Sequence, residues 1–136
     1  MFESVNEVAV IVSTILAVAI GSIWYSPLMF GNQWMKSVGL SEDDFEGPGS
    51  KMVKVFVVGA VSNFVGLYII AQFIHLSGDL MKPLFEMGTL LVILIGAVMA
   101  NQVNWEKKPL SYLLINLGYS LVVIFMGIAV IGYWPW

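Results

Sequence analysis

The chain contains no cysteine and no arginine, a single histidine (His75), and few charges of either sign. Without cysteine there is no disulfide framework, no thiolate metal site and no cysteine nucleophile. Without arginine the planar fork that grips phosphate at two points is missing, and at a formal net charge of −3 nucleic acid is excluded as a natural partner. With no second histidine or nearby carboxylate pair, His75 reads as an interfacial residue with its ring tip in water rather than a metal ligand, and no cofactor is implied. Charged residues make up 11% of the chain against 59% hydrophobic ones, and the mean hydropathy is +0.88. Soluble globular domains do not have this balance, so the lipid bilayer is the expected surrounding.

What the chain does have is four apolar stretches long enough to cross a hydrocarbon core, which takes on the order of 20 helical residues. They run from Val5 to Tyr25, Met52 to Leu76, Phe85 to Val103 and Leu110 to Ile131. Backbone groups in lipid must pair within their own segment, and the runs lack the polar alternation of barrel strands, so each is expected to be a helix. The first stretch has no basic residue ahead of it and exceeds a signal-peptide core, which makes it a retained span. The expected architecture is one domain over residues 1–136, an all-α integral membrane protein with four transmembrane helices in an antiparallel bundle.

Breakers set the limits of these elements. Ser26-Pro27 ends the first span, and the same pair is suited to open a new helix. Leu28, Phe30, Trp34, Met35 and Val38, interleaved with Asn32, Gln33 and Lys36, suit a short helix in the headgroup layer that Gly39 closes. Ser41-Glu42-Asp43-Asp44 resembles a capping box, and Gly47-Pro48-Gly49 breaks the chain before Ser50 starts the second span. The connections from Ser77 to Leu84 and from Asn104 to Pro109 are short, so consecutive spans should be neighbours. Lys36, Lys51, Lys54, Lys107 and Lys108 flank the first and third connections, and only Lys82 flanks the second. The positive-inside rule then puts loops 26–51 and 104–109 in the cytoplasm and both termini outside. Tyr133, Trp134 and Trp136 would sit at the outer interface as an aromatic anchor, with a ligand-stacking platform as the alternative.

Two kinds of feature stand out within the spans. Ala9, Ser13, Ala17 and Gly21 form a ladder of small residues on one face of the first span; Gly59, Asn63 and Gly66 make a comparable stripe on the second, and Gly96 with Ala100 a shorter one on the third. Small faces let helix backbones approach closely, either within one bundle or between copies. The second feature is polar. Asn63 lies roughly 16 Å along its span from Met52, near the bilayer midplane. Tyr112, Asn116 and Tyr119 share a face of the fourth span, and Ala97, Asn101 and Asn104 one of the third, so Asn101 and Asn116 are expected to meet. Such amides are either glue between helices or the lining of a small polar pocket. Other than tyrosine, no ionisable side chain lies in the centre of a span, where ion-coupled transport places one. Ser62, Ser111 and Ser120 have no histidine or lysine base within reach, so no catalytic residues are assigned and an enzyme is not expected.

The segment Gly21-Ser-Ile-Trp-Tyr-Ser-Pro-Leu-Met-Phe-Gly-Asn-Gln-Trp-Met35 resembles the hallmark of a bacterial membrane family catalogued as domain of unknown function 1761. Asn101, the turn Glu106 to Pro109, and Leu114-Ile115-Asn116-Leu117-Gly118-Tyr119 resemble its second hallmark. Relatives often carry arginine in the third loop, where this chain has lysine. The resemblance implies a small protein of the bacterial inner membrane and assigns no activity. It directs attention to Trp24, Tyr25, Ser26, Pro27, Phe30, Gly31 and Trp34, expected level with Asn101 and Asn116. The leading expectation is a non-enzymatic bundle that forms a homo-oligomer or supports a membrane-protein partner. The alternative is a binder or carrier of a small neutral or lipidic molecule at a cytoplasmic-side pocket.

Overall fold

The computed structural model describes residues 5–47, 51–77 and 81–135. Pro48 to Ser50 and Trp136, singled out from the sequence, and the middle of the connection from Ser77 to Leu84 lie outside them. The described residues form five α-helices and one short 3-10 helix, with no strand among them. Helix α1 (Glu7–Trp24) opens where the Asn6 side chain accepts a hydrogen bond from the Ala9 N–H at 3.0 Å, which satisfies one of the orphan donors of the first turn. Helix α2 (Gly31–Val38) ends at Gly39 in the left-handed conformation, φ 74°. The 3-10 helix spans Glu42–Phe45 and is held by the Asp44 carboxylate, which accepts from the Ser41 N–H at 3.0 Å. Helices α3 (Lys51–Leu76), α4 (Met81–Glu106) and α5 (Leu110–Gly132) follow. With α1, these are the four helices long and apolar enough to cross a membrane, and the protein is a multi-pass membrane protein.

Three boundaries differ from the sequence expectation, each for a local reason. Ser26-Pro27 does not open α2. Instead Ser26 builds a tight turn in which its hydroxyl donates to the Ile23 carbonyl (2.7 Å) and its own carbonyl accepts from the Gly31 N–H (2.9 Å). Helix α4 begins at Met81 rather than Phe85, because Pro83 falls in the first turn, where an N–H has no helical partner to lose. It ends at Glu106 rather than Val103, since polar residues continue a helix readily once it has left the hydrocarbon. Lys107 then turns the chain with φ 53°, and the Lys108 N–H donates back to the Val103 carbonyl at 3.1 Å. That bond closes a Schellman-type cap.

Helix α5 is the centre of the molecule: α1, α2, α3 and α4 all pack against it, and α1 also packs on α3. Among the described residues spans two and three, although joined by a short connection, share almost no contact; each meets α5 instead. The buried core draws on Val5, Ala9 and Val10 at the start of α1, Leu67, Ile70, Ala71 and Ile74 late in α3, Leu84 early in α4, and Val123, Ile124, Ile128 and Ile131 late in α5. One end of the bundle is therefore tightly packed. At the other end the first part of α3, from Lys51 to Val58, is exposed along its length. This divergence of α3 from its neighbours leaves room for a cavity.

Candidate functional site

The end of α1 is tied to the beginning of α5 by its own aromatic residues. The Trp24 indole donates to the Ile115 carbonyl at 3.0 Å, and the Tyr25 hydroxyl donates to Asn116 Oδ1 at 2.9 Å. Asn116 in turn donates its Nδ2 to the Tyr112 carbonyl, one turn back, at 2.7 Å. A Cβ at Gly118 would come within 2.9 Å of the Trp24 ring, so glycine at that position is what lets the indole lie against α5. Deeper in the bundle Tyr119 joins three helices: Asn63 of α3 donates to its hydroxyl at 2.9 Å, and the hydroxyl donates to the Ala17 carbonyl of α1 at 3.1 Å.

Aromatic packing extends this network to α2. Phe30 lies 4.9 Å from Trp24 between ring centroids, Trp34 lies 5.4 Å from Tyr25 in an edge-on arrangement, and Tyr25 and Tyr119 are 5.3 Å apart. Phe45 of the 3-10 helix meets Trp34 at 6.5 Å. Tilted and edge-on pairs of this kind are favourable beyond the area they bury.

A cavity of about 690 Å³ lies beside this network, bounded by α1, α2, the 3-10 helix, α3 and α5. Tyr25, Trp34, Asn63, Asn116 and Tyr119 line it, as do Gly21 and Ser26; the opposite wall is Met52, Val55, Phe56 and Gly59 of α3. Glu42 and Glu46, both exposed, are the charged residues of the lining. A separate, shallower hollow at the α4–α5 turn is bordered by Ala100, Asn104, Lys107 and Lys108 and touches none of the aromatic network.

The residues expected to act together are thus mostly gathered in one place, with instructive exceptions. Asn101 is exposed on α4 and does not meet Asn116, whose oxygen is engaged by Tyr25 and whose amide nitrogen is engaged by Tyr112. The side chain of Tyr112 contributes no hydrogen bond to the network. Of the small-residue faces, Ala9, Ser13 and Ala17 are fully buried, Gly21 faces the Tyr119 ring, and Gly96 faces Leu117 of α5. Gly59 and Gly66 pack against nothing: a Cβ at either would meet open space. Of the stripe on span two only Asn63 reaches a neighbouring helix, through Tyr119, while Gly59 fronts the cavity.

Sequence reasoning took Gly59 for a packing residue and did not find the rest of the α3 wall or the acidic residues at the cavity. Val55, Phe56 and Gly59 sit in an unbroken apolar run that gives no hint of its direction. Glu42 and Glu46 reach the cavity only because the chain after α2 folds back, closed by a 2.6 Å ion pair from Lys51 to Asp44. That lysine's hydrogen bond, helped by the Ser41 N–H, holds the Asp44 carboxyl below its ordinary value.

A four-span membrane protein with an aromatic and amide-lined cavity at one end is the class these features define. A family model described as a protein of unknown function, DUF1761, matches residues 8–132, and the chain belongs to that family. No curated protein and no solved structure matches it.

Proposed function

We propose that the protein is a non-enzymatic membrane protein that binds a small, largely apolar molecule in the cavity between α1, α2, α3 and α5. The observation that carries this reading is the cavity itself. Its volume of about 690 Å³ falls within the range of small-molecule sites, roughly 300–1,000 Å³, and its walls combine apolar surface with a few convergent polar groups. Those polar groups already satisfy one another: Tyr25 with Asn116, and Asn63 with Tyr119 and Ala17. The lining therefore asks few hydrogen bonds of an occupant. The lysine distribution supports a location in the bacterial inner membrane with the cavity end in the cytoplasm and both termini outside.

Gly59 offers a direct test, because it lines the cavity and a side chain there meets no atom within 4 Å of its Cβ. The wild-type protein, purified from native membranes and analysed by mass spectrometry, is expected to carry a small molecule that Gly59→Phe lacks, with unchanged thermal stability. Wild-type protein that carries nothing and takes up no hydrophobic dye would defeat the reading.

One observation favours self-association as a second reading. Asn101 is exposed on a membrane-spanning helix and makes no hydrogen bond within the described chain, and an amide facing lipid is costly. A second copy, or a partner membrane protein, would satisfy it across α4. Cross-linking in native membranes is expected to give a dimer that Asn101→Leu weakens; monomer alone from the wild type would count against this.

A further inference from the structure

The charge of the cavity lining is one-sided, and this bears on what the cavity takes. Among the described residues Glu42 and Glu46 are the only charged ones that line it, and no lysine does. The nearest basic group along the chain, Lys51, is committed to Asp44 at 2.6 Å. Trp34 and Phe45 line the same cavity as the two glutamates, with their rings 6.5 Å apart between centroids. Beyond them the wall turns apolar, at Met52 and Phe56. Carboxylates and aromatic faces attract the same kind of group, a weakly hydrated cation, through charge pairing and through the ring quadrupole. An anionic amphiphile would meet two like charges on the wall itself, with no lysine among the described lining residues to offset them.

Resting on the reading of the cavity as a ligand site, we infer that its occupant is a lipophilic cation, held with its positive group by Glu42, Glu46, Trp34 and Phe45 and its apolar body along α3. The sequence suggested a small neutral or lipidic ligand, because nothing in it showed that the acidic segment returns to the aromatic cluster.

Two ions of nearly the same size and shape but opposite charge, tetraphenylphosphonium and tetraphenylborate, isolate the electrostatic contribution. Saturable binding of each is measured by equilibrium dialysis in a neutral maltoside detergent, with protein-free micelles subtracted, alongside the neutral dye Nile red. The expected result is a preference of about tenfold for the cation. It should fall to about twofold in E42Q/E46Q, persist in E42D/E46D, and vanish with all binding in Gly59→Phe. Both glutamates are exposed, so the thermal stability of E42Q/E46Q should match the wild type. Equal binding of the two ions, or a cation preference that survives in E42Q/E46Q, would overturn the inference while bound Nile red left the cavity reading standing. If no probe binds saturably, both fall together.

Discussion

At the scale of single residues, Tyr119 is the joint on which three helices meet. Its hydroxyl accepts from Asn63 and donates to Ala17, whereas the Tyr25 hydroxyl makes one bond, to Asn116. Hydrogen bonds between membrane helices contribute about 0.6 kcal/mol on average and rarely more than about 2 kcal/mol. Tyr25→Phe should therefore cost about 0.5–1 kcal/mol, and Tyr119→Phe about 1–2 kcal/mol because it also leaves the Asn63 amide without its acceptor. The rings are 5.3 Å apart, so the double variant should differ from the sum of the two, measured by unfolding in mixed micelles. Additive costs would mean that the two bonds are independent and the network is not one unit. Asp44 permits a second check at this scale. Its carboxyl is held low by Lys51, so the ion pair's contribution is complete above the ordinary carboxylate range and disappears as the pH falls through the lowered value. Carboxyl NMR is expected to show the Asp44 midpoint rising towards the ordinary aspartate value in Lys51→Met. An unmoved midpoint would remove Lys51 as the cause.

At the scale of elements, what could be read from the sequence was whatever a continuous run of apolar residues or a single breaker decides. The four spans, the short helix closed by Gly39 and the acidic turn at Ser41 are of this kind. What could not be read was rotation about a helix axis. Asn101 and Asn116 both occupy polar positions near the same turn, yet α4 presents Asn101 outward while α5 presents Asn116 to Tyr25. Nor does periodicity show that α3 joins the bundle only in its second half, since lipid-facing and cavity-facing positions are equally apolar. The two connecting turns carry a sharper local demand. A Cβ at Gly31 would run into the Tyr25 carbonyl and the Ser26 backbone, and backbone atoms cannot rotate aside. Gly31→Ala is therefore expected to cost about 1–3 kcal/mol and to detach α2 from the aromatic network, visible as a red shift of tryptophan emission. Lys107, by contrast, pays for a left-handed conformation that glycine adopts freely, so Lys107→Gly should stabilise the fold by about 0.5–1 kcal/mol. A loss of stability there would show that the lysine side chain matters more than its backbone.

At the scale of the whole molecule, the bonds from Trp24 to Ile115 and from Tyr25 to Asn116 place the end of α1 against the start of α5. The α1–α3 and α4–α5 connections thereby lie at one end of the bundle, and with them five of the six lysines. Positive residues clustered at one end set the sidedness of a multi-pass protein, so this end, which holds the cavity, should face the cytoplasm. The absence of cysteine makes the arrangement simple to map, because a single introduced thiol has no background to contend with. Lys36→Cys and Lys107→Cys should react with a membrane-impermeant maleimide only after the membrane is opened. Leu76→Cys and Tyr133→Cys, at the far ends of α3 and α5 and exposed by 69% and 71%, should react in intact cells. If the two pairs exchange behaviour, the crossings stand and the cavity opens to the outside, which the lysines would then fail to explain. If the members of one pair disagree with each other, the chain does not cross four times, and the contact between α1 and α5 that builds the cavity could not exist.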